Sequence, residues 1–194
     1  MQIIEKTRNT KETEINLVFN PKGCGKYKIS TGLNFFNHML EQLTYHANFD
    51  IELTAKSLDG NEHHLVEDVA ITLGQAFLNS LEDKKGIKRY ASVILPMDEA
   101  LILCAVDVSG RAFCKADFNI KEEKTSDFET VLLIHFFNSF AMNAGITLNI
   151  KQLDGIDPHH IIECSFKAFA RALKGATETD SDNPNKIPST KGIL

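Results

Sequence analysis

The chain has 194 residues, of which 43% are hydrophobic and 24% are charged, and its formal net charge is -5 at pH 7. This composition indicates a globular protein with a real core, and the acidic balance without a Lys/Arg cluster argues against nucleic acid as the main partner. No apolar run approaches the roughly 20 residues of a membrane span. Four cysteines without C-x-x-C spacing, and no evident signal or transit peptide, predict reduced thiols and a cytoplasmic location.

The first half of the chain alternates between strand and helix patterns. Polar and apolar side chains alternate in the strand segments, whereas apolar residues recur at helical spacing in the helix segments. The predicted elements are two strands over 3–19 and 26–30, a helix over 33–49, a strand over 50–57 and a helix over 63–81. The predicted order is therefore strand, strand, helix, strand, helix.

The second half repeats this order. Its predicted elements are strands over 91–95, 100–107 and 112–119, a helix over 128–143, a strand over 146–152 and a helix over 159–173. His38 matches His135 at nearly the same offset that relates Asp59-Gly60 to Asp154-Gly155. Because histidine is scarce in this chain, these matches indicate a duplicated α/β unit of the α+β type, with sheets packed against helices.

Two His-His-x-x-Glu elements carry the most informative chemistry. They are His63-His64 with Glu67 and His159-His160 with Glu163. Adjacent residues on a helix diverge by about 100°, so each histidine pair is suited to two separate sites.

Each half also has one isolated helix histidine, and such a residue, taken singly, is more often part of the core. Together the halves supply six imidazoles and two carboxylates, or three imidazoles and one carboxylate for each of two sites. That set suits Mn, Fe, Co, Ni or Zn.

The remaining candidates are cations and the C-terminal tail. Arg89, Arg111 and Lys167 are ordinary surface charges unless a ligand engages them. The tail over 187–194 combines Ser189 and Lys191 with glycine and apolar residues, a combination typical of a phosphate clamp but also compatible with a docked strand.

Six ordered motifs resemble those of the imidazoleglycerol-phosphate dehydratase family and cover nearly the whole chain. The motifs are Phe35-Phe36-Asn37-His38-Met39-Leu40, His63-His64-Leu65-Val66-Glu67-Asp68, Pro96-Met97-Asp98-Glu99-Ala100-Leu101, Asp107-Val108-Ser109-Gly110-Arg111, His159-His160-Ile161-Ile162-Glu163 and Pro188-Ser189-Thr190-Lys191-Gly192.

The resemblance implies a homo-oligomeric cage of about 24 subunits with manganese sites at subunit contacts. Applied to this chain, it implies repeat halves over 1–86 and 87–178, with a tail over 179–194 that contributes to the active site.

The resemblance also implies a reaction, the metal-dependent dehydration of imidazole glycerol phosphate to imidazole acetol phosphate in histidine biosynthesis. Two Mn²⁺ ions per active site would bind the substrate's ring nitrogens and favour loss of the neighbouring hydroxyl. The implied ligands are His38, His64, His160 and Glu163 for one ion, and His63, Glu67, His135 and His159 for the other. The implied phosphate-binding set is Arg89, Arg111, Lys167, Ser189 and Lys191.

Glu12, Glu163 and His64 are the implied catalytic residues, and Glu12 is also expected to approach the substrate. Asn37 departs from the family pattern, in which Asp usually precedes the helix histidine, and Asn61-Glu62 replaces the usual acidic lead into the first histidine pair. Since an outer carboxylate can orient a ligand imidazole, Asn37 bears on metal affinity. Two other readings are a metal-binding or structural cage without catalysis and, less well supported by the acidic composition, a nucleic-acid-binding domain.

Overall fold

The computed structural model describes residues 1–194, and its first half contains six elements. They are β1 Ile4–Asn9, β2 Thr13–Asn20, β3 Tyr27–Ser30, α1 Asn34–Ala47, β4 Asp50–Ser57 and α2 Glu62–Ser80. The strand predicted over 3–19 is in fact a hairpin of two strands. Its turn carries no glycine or proline, and the polar–apolar alternation continues on both sides, so the sequence pattern conceals the reversal.

The second half contains eight elements. They are β5 Tyr90–Met97, β6 Ala100–Asp107, β7 Phe113–Asp117, β8 Lys124–Thr125, β9 Phe128–Glu129, α3 Leu132–Ala144, β10 Thr147–Asp154 and α4 Pro158–Thr177. The prediction of helix from residue 128 is wrong by one turn, because Phe128–Glu129 pairs with β8 as a short antiparallel ribbon.

The two halves have the same sheet topology. The first sheet has the order β1-β2-β4-β3, and the second has the order β5-β6-β10-β7. In each sheet the first two pairings are antiparallel and the last is parallel. This shared order confirms the predicted duplicated α/β fold.

The four helices lie together, and through them the first half of the chain packs against the second. Helices α1 and α2 contact the first sheet, α3 and α4 contact the second, and the closest helix pairs are α2 with α3 and α1 with α4. A single cluster of 48 buried apolar residues joins the halves. Side chains from α1 and α4, and likewise from α2 and α3, are therefore brought together.

Capping fixes where the two helices that carry adjacent histidine pairs begin. The Asn61 side chain accepts a hydrogen bond from the His63 backbone N–H, and Asp157 does the same for His159. Since an N-cap residue precedes the first helical turn, both histidine pairs lie in the first turn of their helices.

All four cysteines are free. Cys104 and Cys164 are buried, whereas Cys24 is exposed. No helix combines the length and the apolar character that crossing a membrane requires.

Candidate active site

The first histidine–carboxylate cluster joins α1 to α4. His38 Nε2 lies 3.3 Å from Glu163 Oε2, and His159 Nε2 lies 3.0 Å from the same oxygen. One ligand atom from each of these residues falls within 4.8 Å of the other two. Two imidazoles and a carboxylate that converge in this way match the donor set of a transition-metal site.

Glu163 is only 7% exposed, and its second oxygen accepts a hydrogen bond of 2.7 Å from Lys167 Nζ. Burial alone would raise the pKa of the Glu163 carboxyl, but Lys167 and the neighbouring His38 and His159 hold that pKa below its usual value. The carboxylate is therefore ionised at neutral pH, the form that binds a metal.

The second cluster occupies the corresponding positions on α2 and α3. His63 and His135 have ring centroids 4.4 Å apart, and His63 Nε2 lies 3.9 Å from Glu67 Oε2. Glu67 is more exposed than Glu163, with 42% of its side chain accessible. The duplication has thus produced two related clusters of different depth.

The other histidine of each pair turns to a different carboxylate. His64 Nδ1 lies 2.6 Å from Asp59 and 3.8 Å from Glu12, and His160 Nδ1 lies 2.7 Å from Glu99. The hydrogen bond to Asp59 raises the pKa of His64, and the hydrogen bond to Glu99 raises the pKa of His160. Because Nδ1 is engaged in both rings, Nε2 is the nitrogen left to bind a metal.

Within one chain, each of the two predicted ligand sets is only partly brought together. The chain brings His38 to Glu163, and His63 to both Glu67 and His135, as the sets require. It places His159 beside His38 and Glu163, however, and it holds His64 and His160 at separate carboxylates. Neither set of four converges within one chain.

A cationic cavity of about 790 Å³ lies where the C-terminal tail meets the start of β5 and the loop after β6. Four of the five residues in the predicted phosphate-binding set line it, namely Arg89, Arg111, Ser189 and Lys191. Lys167 does not line the cavity, since its ammonium group is hydrogen-bonded to Glu163. The tail forms turns rather than a docked strand.

Arg89 fixes one wall of this cavity. Its Nε and Nη2 donate to the two carboxylate oxygens of Asp107 at 2.7 and 3.2 Å, and its Nη1 donates to the Pro188 carbonyl at 2.8 Å. The hydrogen bonds to Asp107 raise the pKa of Arg89. Arg89 therefore ties the tail to the second sheet.

Sequence reasoning missed Asp59, Glu99 and Lys186, of which Lys186 lines the cationic cavity. Asp59 has a local signal, since it is a carboxylate shortly before the histidine pair, but its match to Asp154 indicates only the repeat. Glu99 is 61 residues from His160, and no local pattern links them. Asn37 accepts two hydrogen bonds from Thr31 and makes none to His38, so it stabilises the entry to α1.

Histidine–carboxylate clusters and a cationic cavity in the same chain define the class of the protein: an enzyme for a small anionic substrate, with side chains of the kinds that bind transition metals. The family model described as Imidazoleglycerol-phosphate dehydratase matches residues 31–173. The Caldicellulosiruptor saccharolyticus protein of that name is 47% identical over 194 residues, covering 100% of this chain and 98% of the relative. The chain belongs to the imidazoleglycerol-phosphate dehydratase family and is a hydro-lyase of histidine biosynthesis.

Other relatives agree with this assignment. The imidazoleglycerol-phosphate dehydratase of Acetivibrio thermocellus is 50% identical over 191 residues, covering 98% of this chain and 97% of the relative. The crystal structure of the Staphylococcus aureus enzyme has a TM-score of 0.84 and 35% identity, covering 92% of this chain and 99% of that one. The crystal structure of imidazoleglycerol-phosphate dehydratase (IGPD) from Pyrococcus furiosus has a TM-score of 0.85 and 35% identity. The match covers 97% of this chain and 100% of that one.

Proposed function

We propose that the chain dehydrates imidazole glycerol phosphate to imidazole acetol phosphate in a metal-dependent reaction, with two Mn²⁺ ions per active site. The observation that carries the proposal is the pair of related clusters, His38 with His159 and Glu163, and His63 with Glu67 and His135. The cationic cavity supports a phosphorylated substrate. A cytoplasmic location belongs to the same proposal.

The donor atoms fit divalent manganese. Imidazoles with one nitrogen held by a carboxylate, as in His64 and His160, together with the ionised Glu163, are the arrangement that fixes ligand orientation around such ions. When bound, the two ions supply Lewis acidity to the substrate's imidazole ring. The proposed ligand sets remain His38, His64, His160 and Glu163 for one ion, and His63, Glu67, His135 and His159 for the other.

The chain's own residues bind the substrate and move the proton. Arg111, Ser189 and Lys191 provide a guanidinium, a hydroxyl and an ammonium group for the phosphate, and such charge-assisted hydrogen bonds are the strong ones. We assign Arg89 and Lys167 to the same set, with Arg89 also positioning the tail.

Glu12 is the proposed acid/base group at the substrate's hydroxyl-bearing carbons. Its side chain is 51% exposed, and its Oε2 lies 3.8 Å from His64 Nδ1. Glu12 therefore stands beside a proposed metal ligand while staying open to an incoming substrate. Glu163 and His64 complete the proposed catalytic set.

The separation of the ligands within one chain supports sites that close between chains. His38 and Glu163 would come from one subunit, and His64, which is held at Asp59, from a neighbour, in a homo-oligomeric cage of about 24 copies. The repeat halves over 1–86 and 87–178, with the tail over 179–194, are the proposed building units of each copy.

Mixed assemblies test this proposal. Co-expression of His38→Ala chains with His64→Ala chains would place an intact His38 and an intact His64 together in about a quarter of the sites formed between randomly chosen copies. We expect each variant alone to be inactive and the mixed assembly to regain activity and bound manganese in that proportion. If mixed cages of normal size stay inactive, the site closes within one chain.

A further inference from the structure

A buried carboxylate on α2 holds both ends of the turn that carries Glu12. Asp68 is 5% exposed, its Oδ1 accepts a hydrogen bond from Arg8 Nε at 2.9 Å, and the same oxygen forms an ion pair with Arg8 Nη2 at 2.7 Å. Its Oδ2 accepts a hydrogen bond of 2.5 Å from the Thr13 hydroxyl. Arg8 is near the end of β1 and Thr13 begins β2, so one side chain fixes the strands that flank the turn.

The turn itself is held by hydrogen bonds on its other sides. The Thr10 hydroxyl accepts from the backbone N–H groups of Glu12 and Thr13, at 3.1 and 2.9 Å. The Glu12 carbonyl accepts from the Leu58 N–H at 2.7 Å, next to the residue that holds His64. Glu12 is thus fixed relative to both α2 and the end of β4, while its carboxylate stays exposed.

The second repeat lacks this anchor. The residue after Glu163 is Cys164, whose thiol donates to the Leu95 carbonyl at 3.1 Å, and the turn between β5 and β6 forms without a buried ion pair. The fold therefore does not need a carboxylate at this helix position. Since a buried ion pair is weak evidence for stability, a role in positioning explains it better.

We propose that Asp68 is a positioning residue that acts on the reaction through Glu12. It draws Arg8 and Thr13 onto α2 and so sets where the Glu12 carboxylate meets the substrate. The inference rests on the proposed role of Glu12 as the acid/base group. Displacement of such a group by about 1 Å is enough to lower turnover roughly 100-fold.

Thr13→Val removes one hydrogen bond to Asp68 while keeping the shape of the side chain. We expect kcat to fall roughly tenfold or more, with unchanged manganese content and a KM within about twofold, because the phosphate cavity is elsewhere. Thr13→Ser should restore kcat. Thr72→Val is the matched control, since Thr72 is equally buried on α2 and donates to the Asp68 backbone carbonyl rather than to its carboxylate.

A second variant and a double variant keep the test decisive. Arg8→Met, at a side chain that is 33% exposed, should fold even if Thr13→Val does not, and should lower kcat in the same way. In a Glu12→Gln background, Thr13→Val should cause no further loss, because both changes act through one carboxylate.

The outcomes separate the inference from the proposed function. If Glu12→Gln leaves kcat unchanged, the proposed role of Glu12 is wrong and the positioning role is lost with it. If Glu12→Gln lowers kcat but Thr13→Val and Arg8→Met do not, the positioning role alone is overturned. An additive loss in the double variant would also overturn it.

Discussion

Replacement of Arg89 by methionine tests how the tail is attached to the body of the enzyme. Arg89 is 9% exposed and makes three hydrogen bonds, two to Asp107 and one to the Pro188 carbonyl. Methionine keeps much of the side chain's volume but makes none of them. Asp107 is then left with Arg111 alone, whose Nη2 is 3.9 Å away.

The expected loss in the free energy of unfolding follows from the partial burial of the Arg89–Asp107 ion pair. Removing one partner of a fully buried pair costs about 3–5 kcal/mol, and the Asp107 side chain is 20% exposed, so we expect about 2–3 kcal/mol. For a chain of this length that loss lowers Tm by roughly 5–10 °C. Calorimetry at fixed protein concentration measures it, and amide hydrogen exchange should show faster exchange at Ser189.

Two further variants serve as controls for Arg89→Met. Arg171 is exposed and forms no ion pair, so Arg171→Met should leave Tm and KM unchanged. Arg89→Lys keeps the charge but lacks the guanidinium fork, and we expect it to resemble Arg89→Met. An unchanged Tm in Arg89→Met, or full recovery with lysine, would refute the tail-anchoring role.

Three other predictions follow from the same structure. Lys191→Ala should raise KM for the phosphorylated substrate roughly 10- to 100-fold without changing metal content. The control Lys28→Ala, on an exposed strand face, should change neither KM nor metal content. Unchanged kinetics in Lys191→Ala would exclude a phosphate clamp. His64→Ala should lose bound metal and activity together, and full metal content in an active variant would contradict its assignment as a ligand.

Asp50→Asn should lower stability by about 1 kcal/mol at neutral pH. Burial raises the pKa of Asp50. Hydrogen bonds from the backbone N–H groups of Cys24 and Lys26 lower it by more, so that the pKa lies below its usual value. This stabilisation is present above the ordinary pKa and is lost as pH falls through the lowered one. Urea unfolding should therefore show a smaller difference from the native chain in acid, and a constant difference would refute the role.

Local pattern was sufficient for most of the fold. The strand predicted over 50–57 is β4 itself, because its alternation ends at a turn on each side. The hairpin at Thr10–Thr13 was missed because its turn relies on a threonine hydroxyl rather than on glycine or proline. The early start predicted for α3 failed because Phe128 is apolar enough to extend the helical pattern, yet it pairs in a β-ribbon.

The candidate site was only partly accessible to the same reasoning. Repetition identified every histidine of the clusters, and adjacent histidines diverge in the structure as helical geometry requires. Which partners they meet depends on how α1 packs on α4 and α2 on α3, and this tertiary packing leaves no local signal. His159 beside His38, and Glu99 beside His160, are contacts of this kind.

The most direct test of the central claim is product formation from imidazole glycerol phosphate by metal-stripped protein, before and after addition of Mn(II). We expect no turnover without metal and full turnover once about two Mn²⁺ ions are bound per active site. Turnover by fully stripped protein would contradict metal dependence. A folded chain that binds manganese but forms no product would instead favour a metal-binding cage without catalysis.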